Sequence, residues 1–122
     1  MHDRETLLQR LEVGDIFHAR SPAGHSLICL VMAVTEDTLR VRTVTHNVHL
    51  EFDRRAGVAH WAEVDTRCII DSVAPLSREM HNVMLGLDRK MRLENDPERF
   101  KLDEQEKRAL IFVDSYYRDN PV

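Results

Sequence analysis

The stretch Leu39–Asp53, LRVRTVTHNVHLEFD, carries the reading on which the fold turns. Apolar and polar residues alternate on both sides of His46-Asn47 with the period of two that marks half-buried strands. Asn47 tolerates the left-handed backbone that a two-residue turn demands. A turn at His46-Asn47 sets Thr45 against Val48. It then places Val44 opposite His49, Thr43 opposite Leu50, Arg42 opposite Glu51, Val41 opposite Phe52 and Arg40 opposite Asp53. One face carries Val41, Thr43, Leu50 and Phe52. The other sets opposite charges directly across the ladder, worth about 0.2–1 kcal/mol per pair. These charges therefore have a structural use, which tells against a catalytic reading of His46, His49 and Glu51.

Working outward, Ile16–Arg20 reads as a strand, and Ser21-Pro22-Ala23-Gly24 has Pro and Gly at the second and fourth positions of a type I turn. The partner strand, Ser26–Val34, shows no polar alternation, so both of its faces should be buried, one inside a sheet or barrel and one beneath a covering element. Glu36-Asp37 turns the chain into the hairpin, and Arg54-Arg55-Ala56-Gly57 ends it. Val58–Asp65 reads either as a short strand or as an irregular loop; Thr66–Val73 is strand-like again. A short helix, capped by Asp3 and presenting Leu7, Leu8 and Leu11 on one side, precedes all of this and breaks at Val13-Gly14-Asp15. Several short strands joined by tight turns predict a small antiparallel sheet, strongly bent into a partly open barrel. In its compactness and its opening Gly-Asp turn the pattern over residues 1–75 resembles an SH3-like barrel, although no family motif accompanies it.

After Pro75 the period changes to 3.6. Ser77 is a natural N-cap with Glu79 in the first turn, and Met80, Val83, Met84, Leu87 and Met91 form an apolar stripe, weakened at Gly86 by about 1 kcal/mol relative to Ala. Asn95-Asp96-Pro97-Glu98 stops and restarts the chain. Asp103-x-x-Glu106 resembles a capping box that opens a final helix running to about Tyr117 and closing near Asn120-Pro121. Met80, Met84, Leu110, Val113 and Tyr117 should cover the sheet or the neighbouring helix. The apolar face of the last helix is wider than one thin neighbour needs, and its surplus at Phe112 and Tyr116 would suit a two-fold dimer contact. The expected architecture is thus α+β: one domain over residues 1–122, with a short N-terminal helix and a barrel in 1–75 and two helices from 76–122 packed on it.

Composition narrows the function classes. With 43% hydrophobic and 31% charged residues the chain can build a modest core. A net charge of −4 argues against a strong non-specific hold on nucleic acid. No apolar run is long enough for a membrane span, and Met-His-Asp-Arg-Glu lacks the basic-then-apolar order of a signal peptide, so the expectation is a cytoplasmic protein away from membranes. Cys29 and Cys68 sit in apolar stretches as reduced, buried thiols.

His46-x-x-His49-x-Glu51-x-Asp53 invites a metal, but ligands on one strand face stand about 6–7 Å apart. Neither a Gly-x-Ser-x-Gly elbow nor a P-loop nor Gly-x-Gly-x-x-Gly occurs, and Cys68, drawn with His60 and Asp71 as a triad, lies in a strand core. No cofactor is expected. His18, Arg20, Arg54, Arg55, His60, Trp61 and Arg67 could together make a binding surface of stacking and phosphate-recognising groups. The expected role is a non-enzymatic protein-binding or regulatory module, with a protein partner or a second copy. One alternative is nucleic-acid or nucleotide binding through the Arg/Trp surface, and another is a metal-dependent enzyme centred on His46, His49 and Glu51.

Overall fold

A computed structural model describes residues 3–46, 48–61, 66–94, 96 and 99–122, the side chains of Trp61 and Thr66 excepted. In chain order the elements are α1 (Arg4–Gln9), β1 (Ile16–Arg20), β2 (Ser26–Val34), β3 (Thr38–Thr43), β4 (His49–Asp53), β5 (Val58–Trp61), β6 (Thr66–Ser72), α2 (Arg78–Leu93) and α3 (Glu104–Asp119). All strand pairs are antiparallel, in the order β4-β3-β2-β1-β6-β5. The two ends of that order, β4 and β5, are consecutive in the chain and touch, so the sheet curls into a nearly closed six-stranded barrel. The ambiguous stretch begins as a strand, Val58–Trp61; residues 62–65 lie outside the described residues.

Alternation decides what fills the barrel. Phe17, Ala19, Leu27, Cys29, Val31, Leu39, Val41, Leu50, Phe52, Cys68 and Ile70 point inward, with Phe17 and Phe52 meeting edge to face at 5.3 Å. Helix α1, capped by the Asp3 carboxylate accepting from the Thr6 N–H at 2.7 Å, closes one end with Leu8 and Leu11. It packs on Gly57, whose φ of +71° suits glycine and where a Cβ would stand 2.6 Å from the Arg4 guanidinium and 3.1 Å from Leu8. At the β1–β2 turn the Gly24 N–H donates to the Ser21 carbonyl at 3.0 Å, as the type I reading requires.

The hairpin register differs from the expectation. Arg42 stands opposite His49, not Glu51; Arg40 faces Glu51, Val41 faces Leu50 and Leu39 faces Phe52. The turn is longer than two residues. The Thr43 N–H donates to the Val48 carbonyl, the Val48 N–H returns to the Thr43 hydroxyl, and Val44 leaves the hairpin so that its N–H donates to Ile28. The positive φ falls on Thr45, at 72°; Asn47 lies outside the described residues. The slip is two residues, an even number, so the side chains of β3 and β4 stay on their expected faces.

Strand β2 is also corrected. Leu27, Cys29 and Val31 face the barrel and Ile28 and Leu30 the helices, but Met32, Ala33 and Val34 are exposed beyond a register shift against β3. Outside the barrel, Ile16, Ile28, Leu30 and Val44 are covered by Met84 and Leu87 of α2 and Val113 and Tyr117 of α3, with Met80 and Leu110 half-buried beside them. Ser77 caps α2 and a complete Asp103/Glu106 capping box opens α3. Among the described residues no helix is long and apolar enough to cross a membrane.

Candidate functional site

Two ionic clusters lie in the layer between barrel and helices. In β1, Phe17 and Ala19 face inward, so Ile16 and His18 face the helices. His18 is only 4% exposed. Its Nδ1 meets Asp71 Oδ1 of β6 at 2.5 Å and its Nε2 meets Asp114 Oδ1 of α3 at 2.9 Å. An ionised carboxylate only accepts, so this pair of contacts suits a doubly protonated imidazolium, in which both ring nitrogens donate. Burial opposes that charge, but the hydrogen bonds and charges of Asp71 and Asp114 outweigh it and raise the His18 pKa above the ordinary histidine value. Arg20 lies 3.7 Å from Asp71, Arg118 donates to Asp114 at 2.8 Å, and the Tyr117 ring stands 5.6 Å from the imidazole. A histidine with both nitrogens engaged has no lone pair with which to act as a base.

The second cluster is a two-pronged bridge. Arg42 Nε and Nη2 of β3 donate to the two oxygens of Asp88 in α2, each at 2.8 Å, and Arg92 adds a bond at 3.1 Å. Burial disfavours the Asp88 charge, yet the two arginines hold its pKa below the ordinary aspartate value.

Beside the first cluster a groove of about 450 Å³ opens between α3 and the part of the barrel made by β2 and the β3–β4 connection. Ile28, Val44, Leu110 and Ile111 line it, and Asp114, Ser115, Arg118, Thr45 and His46 add polar groups.

The structure divides the surface expected from the sequence. Arg20 and Arg67 come together around a depression of about 590 Å³ with Val58 and Ile69, on the outer surface of β1, β5 and β6. His60 pairs with Arg67 across β5 and β6, and Trp61 ends β5 opposite Thr66, its side chain outside the described residues. Arg55 is exposed in the β4–β5 turn. His18 leaves this surface for the cluster under α3. Arg54 leaves it too: 7% exposed, it donates to the carbonyls of Leu8, Gln9, Leu11 and Thr35 and ties the end of α1 to the barrel.

The hairpin histidines do not assemble. His49 faces Arg42 and Glu51 lies 3.7 Å from Arg40; among the described residues no three His, Cys, Asp or Glu come together as metal ligands. Cys68 faces the interior beside Ala59, so the neighbouring His60 falls on the other sheet face and the drawn triad cannot form. Burial pushes the Cys68 thiol pKa up, away from the reactive range. Phe112 is 58% exposed, whereas Tyr116 packs beside the helix–sheet core and its hydroxyl donates to the Pro75 carbonyl at 2.6 Å.

The residues that sequence reasoning missed are Asp88 and Asp114, while Asp71 was weighed only as a member of the Cys68 triad. Their signal was an acid placed on an apolar face: Asp114 sits between Leu110 and Tyr117 on the inward side of α3, and Asp88 follows Leu87 in α2. No protein-family model, curated protein or solved structure matches this chain.

Proposed function

We propose that the protein is a non-enzymatic protein-binding module whose recognition surface is the groove between α3 and the barrel. The observation that carries this reading is an apolar floor that runs out onto exposed helix surface, Ile111 at 67% and Phe112 at 58% exposure. The occupant is an apolar segment of another protein. Asp114 is already engaged by His18 and Arg118, so its charge is answered internally and the groove offers chiefly apolar area. An SH3-like barrel that binds on its outer side is the fold-level form of this reading. It works in the cytoplasm, where the buried, free Cys29 and Cys68 stay reduced.

Selection of a displayed random-peptide library on the immobilised protein tests it. Enriched peptides should be apolar, lose binding to Ile111→Glu and keep binding to Ile69→Glu on the outer surface of β6, outside the groove. Failure to enrich, or loss through Ile69 alone, rejects the reading. Self-association through Phe112 is the rival occupant. A dimer in sedimentation that dissociates on Phe112→Glu would favour it.

A second reading, a nucleotide or nucleic-acid ligand, has one observation in its favour, the meeting of Arg20 and Arg67 at a single depression. At a net charge of −4 we expect no measurable oligonucleotide binding at physiological salt. Tight binding that weakens steeply with salt and is lost on Arg67→Ala would move the function to that face.

A further inference from the structure

We propose that His18 is a protonation-controlled clasp on α3: doubly protonated, it ties Asp114 of the helix to Asp71 of the barrel, and loss of one ring proton releases the helix side. The charged groups around it are few. Strand β6 brings Asp71, with Arg20 of β1 3.7 Å away; α3 brings Asp114, with Arg118 on its other oxygen, and the Tyr117 ring. The ladder neighbours Ile28 and Ser72 are uncharged.

A neutral imidazole keeps one N–H, and its other nitrogen then turns a lone pair toward a carboxylate at hydrogen-bond distance. The proton that leaves is the one on Nε2. The Nδ1 contact to Asp71 is the shorter, and Asp71 sits in a strand laddered to β1 on the His18 side. Asp114 has a waiting partner in Arg118 and belongs to a helix that no ladder holds. The reaction is the loss of one proton from Nε2 to water, leaving neutral His18 bonded to Asp71 and Asp114 bonded to Arg118. Because the folded pKa is raised, the stabilisation is fully present below the unfolded histidine value of about 6.5 and is lost as pH rises through the higher folded value. The clasp needs no ligand in the groove, so it stands apart from the binding reading.

The test is an NMR titration of the His18 ring nitrogens in the full-length protein, with amide exchange followed over the same pH range and corrected for intrinsic rates. Both nitrogens should carry protons at neutral pH and the ring should titrate above 6.5. Protection of Val113–Tyr117 should fall about tenfold or more relative to Val41 as it does so. Asp114→Asn should move both steps to lower pH, and His18→Gln should abolish the exchange step. A neutral His18 ring at pH 7, or α3 protection that is unchanged across the titration, overturns the proposal. The wild-type titration decides the matter even if a variant fails to fold.

Discussion

The barrel interior and the layer beneath α2 and α3 bury similar aliphatic side chains, but among the described residues only the second sets buried ion pairs among them. Phe17, Leu39, Val41, Phe52 and Ile70 fill the first; Ile16, Ile28 and Leu30 share the second with His18, Arg42 and Asp88. Inside the barrel, position is already set by ladder hydrogen bonds, so non-directional apolar contact suffices. Helices lying on a sheet have no ladder, and apolar stripes tolerate sliding and rotation. The ionic bridges supply the missing direction at the cost of desolvating charge.

The largest break in this comparison comes from ending the chain at Pro75. That uncovers Ile16, Ile28, Leu30 and Val44, each worth about 1.5–3 kcal/mol, against a total stability of about 5–15 kcal/mol for a typical domain. The shortened chain should aggregate or melt without cooperativity in calorimetry. A soluble, cooperatively melting barrel would make residues 76–122 an independent arm and end the single-domain reading.

Arg42→Leu should come next, costing about 3–5 kcal/mol in urea unfolding because Asp88 stays buried with only Arg92. Adding Asp88→Leu should recover most of that loss; additive losses would mean the bridge is not one unit. Acid should act in the same sense. The Asp88 pKa is lowered by folding, so its stabilisation is present above the unfolded value of about 3.9 and lost as pH falls through the folded one. The two clusters of one layer thus weaken at opposite ends of the pH scale.

Arg54→Met should cost about 1–3 kcal/mol, since the carbonyls of Leu8, Gln9 and Leu11 lose a charged donor. A melting temperature unchanged by this substitution would return Arg54 to the pool of available surface cations. The smallest effect belongs to the exposed pair Arg40 and Glu51. Arg40→Glu should cost about 0.2–1 kcal/mol and Glu51→Arg should restore it, whereas the same exchange at Arg42 should not be rescued from Glu51.

Much of the architecture was legible in local pattern. The strand faces, the α1 cap at Asp3, the α3 capping box and the apolar stripes of both long helices follow from alternation, 3.6-residue spacing and cap chemistry within a few residues. The hairpin register was not. Val44 donates to Ile28 across the sheet, which no reading confined to Leu39–Asp53 contains. The charges of the hairpin looked self-sufficient because opposite signs fell opposite one another, yet Arg42 answers Asp88, 46 residues away.

The candidate site was still less legible. His18, Asp71 and Asp114 come from three elements, separated by 53 and 96 residues, and each alone is an ordinary polar residue. Which residues of the hairpin share a face and where each helix starts were determined by the sequence alone, because period and capping act over one or two turns. Which buried charges meet, and whether His18 is exposed or held between two acids, was decided only when the barrel closed and α3 lay across β1, because a charge finds its partner through space and not along the chain.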